Sequence, residues 1–249
     1  SRILFNIFDK IPQIRFEVLV CCPPDSDLTQ NDFSKAYKGG MMIRWIHFDE
    51  PSSIPRMINT AVRQASGNVL FFLDDTMELI SEESYTGLLE QIQREEVGAV
   101  GGKIYYENGL IEHSGILLGP FDLLGCAHRA TWDGSGYAGL NRMICNYSAV
   151  MGLGMMTRKK LFTAVGGLDQ TFERAYWDAD YCLRLRERNY LITYTPYAKL
   201  HHHIRVKAIP EMITEPEATY FRNRWQHIID KDPYFNINFS RAVEDFTIQ

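Results

Sequence analysis

The sequence of 249 residues predicts an α/β domain built on a mostly parallel sheet. In the first part of the chain, apolar runs of strand length alternate with segments of helical periodicity, a pattern typical of parallel strands joined by right-handed crossovers. In the second part, short apolar runs and frequent glycines indicate mixed structure with less helix. No repeat or low-complexity linker separates the two parts. We therefore expect one domain, with a regular half over residues 1–105 and a mixed half over residues 106–249.

The first half shows strands and helices in regular alternation. Its apolar runs predict strands over Phe16–Cys21, Met42–Phe48, Val69–Leu73 and Ala99–Tyr105. Helical spacing of apolar residues predicts a helix over Pro55–Ala65, with Gly67 just past its end. A second helix is predicted over Glu82–Glu95, because Ser81 precedes it in the position of an N-cap.

The second half is less regular. Short apolar runs occur at Ile116–Leu118 and Ala149–Met151. Further along, the pattern predicts helices over Lys159–Val165, Tyr181–Arg188 and Thr219–Asp230, and strands over Leu191–Tyr194 and Ala198–His202. The closing helix is amphipathic and rich in aromatic residues.

Composition excludes several classes of protein. The net charge of −5 and the pI near 5.8 argue against a nucleic-acid partner, since such a partner normally requires a basic face. No apolar run approaches the ~18–20 residues that a membrane span requires. The five cysteines form neither a disulfide framework nor a CxxC metal site, which favours a reducing cytoplasm.

Two adjacent acids, Asp74 and Asp75, directly follow the apolar strand Val69–Leu73. In open α/β sheets, ligands bind just outside the carboxyl ends of the strands. Two neighbouring carboxylates repel each other unless a cation or a ligand donor lies between them. The pattern therefore favours a binding site at this edge of the sheet. The alternative is that the two acids only cap the turn that follows.

Several longer segments carry a recognisable order of motifs. They read FLDDTMELIS, GAVGGKIYYENGLIEHSGILLG, NYSAVMGLGMMTRKKLFTAVGGLDQTF, WDADYCLRLRERNYLITYTPYAKLHHH and RWQHIIDKDPYFN. In this order they resemble glycosyltransferase family 2, and in particular bacterial enzymes of the O-antigen and rhamnan chain type. The resemblance extends from about residue 50 to the C-terminus.

This resemblance implies a GT-A fold, with residues 1–105 as the nucleotide-sugar half and residues 106–249 as the acceptor half. It implies an inverting transferase that moves a sugar from a UDP-, GDP- or dTDP-sugar donor to a saccharide acceptor, a growing O-antigen-like cell-surface polysaccharide. A cytoplasmic protein associated peripherally with a membrane-bound acceptor, at the inner face of the membrane, is expected. The alternative is a catalytically impaired GT-A module that binds a glycan or a partner within a larger glycosyltransferase.

The resemblance also implies a divalent cation, Mg²⁺ or Mn²⁺, beside the departing diphosphate. The family carries an Asp-x-Asp signature at the position of Asp74 and Asp75. Aligned through Met77–Ser81, Thr76 stands where the family has its metal-binding Asp, and a slip of one residue places Asp75 there instead. His202 matches a family histidine that contacts metal or diphosphate, although a solvated strand edge is the alternative. The neighbouring His201 and His203 cannot bind the same ion as His202, since adjacent strand residues point to opposite faces.

The expected catalytic base lies in the WDAD segment. Asp178 matches the acid that the family uses to take the proton of the acceptor hydroxyl. Asp180 is the alternative base, although its spacing from Arg184 also predicts an i,i+4 ion pair in the first turn of a helix. Trp177 replaces a polar residue of the family motif. Together with Asp169 of the GGLD turn, it is expected to contact the acceptor.

The expected donor-binding residues are Asp74, Asp75, Arg56, Asn59 and Cys21. Arg56 and Asn59 match a stretch that lies near the nucleotide in the family. Cys21 stands where the family has an acid that meets the nucleotide base. The family's opening strand is absent from this sequence, so the strand Phe16–Cys21 is expected to lack a parallel neighbour.

Overall fold

The computed structural model describes residues 6, 10, 15–24, 26, 42–204, 214–243 and 246–248. Arg205 and Lys207, two basic residues that follow the three histidines, lie outside these ranges. The α/β class is confirmed. The strands of the described part are β1 (Glu17–Cys22), β2 (Met42–His47), β3 (Val69–Phe71), β4 (Met77–Leu79), β5 (Val97–Tyr106), β6 (Ile111–His113), β7 (Ile116–Leu118), β8 (Leu124–Cys126), β9 (Cys145–Asn146), β10 (Met155–Arg158) and β11 (Leu191–His202).

Each predicted helix is found, and most of the helix ends are shifted by one to four residues. The α-helices of the described part are α1 (Ile54–Gln64), α2 (Glu82–Ile92), α3 (Lys159–Ala164), α4 (Trp177–Arg186) and α5 (Glu215–Ile229). The predicted N-terminus of α2 is confirmed, because the Ser84 hydroxyl accepts a hydrogen bond from the backbone N–H of Ser81 at 3.2 Å. Helix α4 begins four residues earlier than predicted, after Tyr176 in the left-handed region (φ 64°). Among the described residues, no helix combines the length and the apolar character needed to cross a membrane.

The central sheet is mixed, with the order β3-β10-β5-β11-β4. Strands β3, β5 and β11 run in the same direction, as the sequence predicts for parallel strands. Strand β10 is inserted antiparallel between β3 and β5, because it reaches the sheet through a long irregular segment rather than through a crossover helix. The two predicted strands at the end of the chain form one strand, β11, with a bulge between Thr195 and Lys199.

Strand β1 pairs in parallel with β2, from Glu17 opposite Met42 to Cys22 opposite His47. The expectation that this strand lacks a parallel neighbour is therefore wrong. Within the described residues, its other edge carries no strand. The Glu17 carboxylate ties the pair to the turn before β3, since it accepts hydrogen bonds from the backbone N–H groups of Ser66 and Gly67 and pairs with Arg44.

Helices cover both faces of the central sheet. On β10, the adjacent residues Met155 and Met156 point to opposite faces. Met155 lies in the larger apolar cluster with residues of α4 and α5, whereas Met156 packs with Leu88 and Ile92 of α2. The carboxyl ends of β3 and β11, which the sequence singles out, lie at one edge of this layered structure and carry the acids and the histidine described next.

Candidate active site

Asp74 is held in a tight turn directly after β3. Its Oδ1 accepts hydrogen bonds from the backbone N–H of Thr76 at 2.9 Å and from the Thr76 hydroxyl at 2.7 Å. Its other oxygen, Oδ2, lies 3.5 Å from Nε2 of His202. The carboxylate therefore caps its turn with one oxygen, as the alternative interpretation of the sequence requires, and presents the other oxygen to the end of β11.

His202 is buried, with 5% of its surface exposed, and connects two acids. Its Nδ1 lies 2.7 Å from Oε2 of Glu112 on β6, while Nε2 faces Asp74. Burial lowers the pKa of His202, but the hydrogen bonds and the charges of Asp74 and Glu112 outweigh it and raise the pKa to about 9. Sequence reasoning missed Glu112. The one sequence signal for Glu112 is its position next to His113 in the segment IEHSG. The contact of Glu112 with His202 depends on the pairing of β6 with β5, which lies beside β11.

The three consecutive histidines separate as predicted for a strand. The His201 ring packs against Tyr105, at 5.7 Å between centroids. His203 Nε2 lies 2.7 Å from Oε2 of Glu78. Only His202 of the three contacts the Asp74 turn through its side chain in the described structure.

The two residues predicted as alternative metal ligands are placed differently from Asp74. Asp75 is exposed and makes no hydrogen bond or ion pair with the described residues. The Thr76 hydroxyl is engaged by Asp74. The structure thus brings Asp74, rather than Asp75 or Thr76, to His202.

A divalent cation fits the pair Asp74 and His202 in part. A metal-binding histidine usually donates its second ring N–H to a carboxylate, which is the arrangement of His202 with Glu112. The separation between Asp74 Oδ2 and His202 Nε2 is 3.5 Å, and a cation bound by these two atoms would have to displace the Nε2 proton that the raised pKa of His202 retains at neutral pH. In the described part of the chain, no three His, Cys, Asp or Glu side chains converge on one metal position. Within the part of the chain that the structure describes, a cation here would therefore need further ligands, such as the oxygen atoms of a bound substrate or of water.

Asp178 lies in the first turn of α4 and is half-buried. Its Oδ2 accepts a hydrogen bond from the backbone N–H of Gly152 at 2.8 Å, and its Oδ1 accepts one from the N–H of Ala179 at 2.8 Å. Burial raises the pKa of Asp178 above its usual range, and these hydrogen bonds oppose that shift. A carboxylate with a raised pKa is a better proton acceptor than an ordinary one.

Asp180 is fully buried and engaged on both oxygens. Arg184 Nε donates to its Oδ2 at 2.8 Å, which confirms the predicted i,i+4 ion pair. Trp225 Nε1 donates to Oδ1 at 3.1 Å, and Arg224 Nη1 lies 3.2 Å from the same oxygen. These contacts join α4 to α5, so the visible role of Asp180 is structural.

The two residues expected to contact the acceptor also have structural contacts. The Trp177 indole is 4% exposed and packs in the larger apolar cluster. The Asp169 carboxylate accepts hydrogen bonds from the Arg224 guanidinium at 2.9 Å and the Tyr220 hydroxyl at 3.1 Å, both on α5. Neither side chain is presented as an open binding surface.

The expected donor residues on α1 and β1 differ in availability. Both ends of the Asn59 amide bond the backbone of Leu168, each at 2.8 Å, so this side chain fixes the GGLD turn. The Cys21 thiol points to the carbonyl of Met57 at 3.7 Å, and burial raises its pKa to about 11, so it is neutral where the family has an acid.

Arg56 is exposed and lines an open groove of about 650 Å³ between α1 and the segment before α4. The groove is lined by Pro51, Ser52, Ser53, Ile54, Arg56, Gln170, Glu173 and Arg174. Arg56 thus lines this groove, whereas the polar side-chain atoms of Asn59 and Cys21 are directed at backbone groups.

Two solved glycosyltransferases have the same architecture. GalNAc-T7 with UDP, GalNAc and Mn²⁺ superposes with a TM-score of 0.67 at 12% identity, covering 92% of this chain and 46% of that one. The mannosyltransferase PcManGT from Pyrobaculum calidifontis, in complex with GDP-Man and Mn²⁺, gives a TM-score of 0.62 at 14% identity, covering 94% and 64%. The chain has the GT-A fold. The fold predicted from the sequence is thereby confirmed.

Curated relatives of this GT-A chain are much longer proteins. It is 30% identical over 214 residues to the uncharacterized protein y4gI of Sinorhizobium fredii (strain NBRC 101917 / NGR234), which covers 83% of this chain and 24% of the relative. It is 28% identical over 234 residues to the O-antigen biosynthesis protein RfbC of Myxococcus xanthus, covering 88% and 18%. The GT-A chain thus spans a quarter or less of these relatives. No family model matches it.

Proposed function

We propose that the chain is an inverting glycosyltransferase that moves a sugar from a nucleotide-sugar donor to a growing O-antigen-like cell-surface polysaccharide. The observation that carries this proposal is the half-buried Asp178 carboxylate, held at the start of α4 by the backbone of Gly152 in a GT-A fold. The similarity to a protein named for O-antigen biosynthesis supports the choice of acceptor. We place the reaction in the cytoplasm, at the inner face of the membrane.

Asp178 is the proposed general base. It takes the proton of the acceptor hydroxyl while the hydroxyl oxygen attacks the anomeric carbon of the donor sugar. The bond from that carbon to the diphosphate oxygen breaks on the opposite side, and the nucleoside diphosphate leaves with the electron pair. The anomeric configuration is therefore inverted. We assign the binding of substrate to the open groove that contains Arg56, since its wall includes residues of the segment 170–174, which precedes α4 in the chain.

Asp74, His202 and Glu112 form the proposed donor end of the site. Asp74 and His202 are the residues that would hold Mg²⁺ or Mn²⁺, with Glu112 orienting the imidazole. When bound, the cation would neutralise negative charge on the departing diphosphate. Without a cation, protonated His202 itself carries positive charge at this end. Residues 1–105 thus supply Asp74, whereas His202 and Glu112 come from residues 106–249.

A second candidate function is supported by two observations on the donor side. The thiol of Cys21 is neutral where an acid is expected, and three metal-binding side chains do not converge among the described residues. These features fit a catalytically impaired GT-A module that binds a glycan or a partner within a larger glycosyltransferase.

A screen of UDP-, GDP- and dTDP-sugars tests the proposed function. The wild-type protein should hydrolyse or transfer one donor class, and NMR of the first product should show inversion at the anomeric carbon. Retention of configuration would overturn the inverting mechanism. Saturable binding of nucleotide or glycan with no turnover of any donor would favour the impaired module.

Manganese binding should depend on Asp74 and Glu112 rather than on Asp75. We expect weak Mn²⁺ binding by the nucleotide-free protein and tighter binding with UDP or GDP, because diphosphate oxygens complete the ligand set. Glu112→Gln should weaken Mn²⁺ binding by ~10–100-fold, the usual cost of losing a carboxylate that orients a metal-bound histidine. The measurement is proton relaxation during Mn²⁺ titration.

Asp75→Asn is the matched control for Asp74→Asn, since the two acids are adjacent and only Asp74 faces His202. The control should leave the Mn²⁺ affinity unchanged, while Asp74→Asn should abolish measurable binding. If Asp75→Asn weakened binding as much as Asp74→Asn, the alignment that makes Asp75 the ligand would be correct.

A further inference from the structure

The turn Met151–Gly154 lies between the two ends of the proposed site. The Gly152 N–H bonds the Asp178 carboxylate at 2.8 Å. The Gly154 N–H bonds the carbonyl of Phe72 at 2.7 Å, two residues before Asp74. The Met151 N–H donates to Nε2 of His113 at 3.2 Å, and His113 adjoins Glu112. One turn of four residues is thus bonded to Asp178 directly and to the immediate neighbourhoods of Asp74 and Glu112.

His113 is built into the interior as an acceptor for this turn. The side chain is fully buried, and burial lowers its pKa to about 3, so the imidazole is neutral. Since Nε2 accepts from Met151, the proton is on Nδ1, which has no hydrogen-bond partner among the described residues. A buried donor without a partner costs stability. The contact between His113 Nε2 and the turn therefore leaves the buried Nδ1–H of His113 without a hydrogen bond among the described residues.

Gly152 has no room for a side chain. A Cβ atom at this position would lie 2.0 Å from Cη2 and 2.3 Å from Cζ3 of Trp177, and 2.8 Å from Cβ of Asp178. Contacts between non-bonded carbon atoms are optimal only at ~3.5–4.0 Å, so either the turn or the start of α4 would have to move. Trp177 is buried in the apolar cluster and cannot swing into solvent without opening the core.

We propose that Gly152 is a positioning residue, whose lack of a side chain and whose N–H fix the Asp178 carboxylate against the turn that also anchors the donor end of the site. This inference rests on the proposed role of Asp178 as base. The inference also gives Trp177 a role different from the expected acceptor contact. Its indole packs against Gly152 and so sets the distance between the turn and α4.

Gly152→Ala should lower kcat for sugar transfer by about 100-fold, since a misplacement of ~1 Å can cost that much. The Kd for donor nucleotide should change much less than kcat, because Gly152 is connected to the donor end only indirectly, through the bonds of Met151 and Gly154. Displacement of the Gly152 N–H also removes a bond that favours ionised Asp178. The acidic limb of the pH–rate profile should therefore move up by about 1–2 pH units.

Two further variants distinguish positioning from loss of folding. Gly134→Ala is the matched control, because a Cβ there would contact only the Trp132 carbonyl at 3.9 Å, and it should leave kcat and the pH profile unchanged. Trp177→Phe in the Gly152→Ala background removes the two ring atoms that lie closest to the new methyl group. The double variant should recover at least about tenfold of the lost kcat.

The inference is overturned if Gly152→Ala keeps kcat within about twofold, or if kcat falls while the acidic limb does not move and Trp177→Phe restores nothing. Failure of the proposed function is a separate outcome, seen as absence of turnover in the wild-type protein. In that case, NMR titration of the Asp178 carboxyl carbon in wild-type and Gly152→Ala protein still tests the positioning. An unchanged pKa of Asp178 would refute it, and an increase would support it.

Discussion

Asp178→Asn should lower the rate of sugar transfer by ~10²–10⁴-fold, the usual contribution of a general base, while the fold and the donor affinity stay close to those of the wild-type protein. Asparagine keeps the shape of the side chain and one oxygen that can accept the Gly152 N–H, but it cannot take up a proton at neutral pH. The measurement is the initial rate of transfer with the donor identified in the screen, alongside thermal unfolding and calorimetric titration of nucleotide.

Retention of more than about a tenth of the wild-type rate by Asp178→Asn would contradict the assignment. The rate would then have fallen less than about tenfold, whereas loss of a general base lowers the rate by ~10²–10⁴-fold. The role of base would then pass to another acid. Asp180, the alternative indicated by sequence, would need to open its contacts with Arg184 and Trp225 first.

Asp180→Ala should destabilise the protein by ~3–5 kcal/mol, because removal of one partner leaves a buried charge uncompensated. Asp180 is 0% exposed, and the side chain of Arg184 that it neutralises is 12% exposed. Loss of the carboxylate also frees Trp225 Nε1 from its partner at the junction of α4 and α5. Urea unfolding followed by circular dichroism measures the difference in free energy of unfolding.

Asp169→Ala provides the comparison, since it removes a contact to the same helix, through Arg224, from a partly exposed position. Exposed ion pairs contribute ~0.2–1 kcal/mol, so this variant should be much less destabilised. The structural assignment of Asp180 fails if Asp180→Ala unfolds at the same urea concentration as wild type but loses transfer activity.

Local sequence signals predicted most of the regular structure. The apolar periodicity of α1 and the serine that precedes α2 act over a few residues, so helix ends were placed to within a few positions. The separation of the three histidines also follows from strand geometry alone. The insertion of β10 between β3 and β5 was not predictable in the same way, because it depends on a pairing between distant parts of the chain.

The candidate site was predictable as a set of positions but not as a set of contacts. The motif order singled out Asp74, Asp178 and His202 among its candidates, but it did not show that backbone N–H groups bond both oxygens of Asp178 or that Asp74 rather than Asp75 faces His202. It could not show that both ends of the Asn59 amide bond the backbone of Leu168. The two residues are far apart in sequence and meet only through the packing of α1 on the GGLD turn. Glu112 was not predicted as a site residue for the same reason, since it meets His202 only through the pairing of β6 with β5 and of β5 with β11.

The position of β10 between β3 and β5 also has a consequence during synthesis of the chain. Leu70 of β3 pairs with Thr157 of β10, about 87 residues later. At ~5–20 residues per second, the ribosome needs ~4–17 s to make that stretch. In the later part of this interval, after β5 has also been made, β3 and β5 lack the strand that joins them, and the edges that β10 will cover are open to other nascent chains. Early synthesis of Asp74 therefore does not bring an early site: β3 joins the sheet only after β10 has been made, and Asp178 on α4 and His202 on β11 come later still.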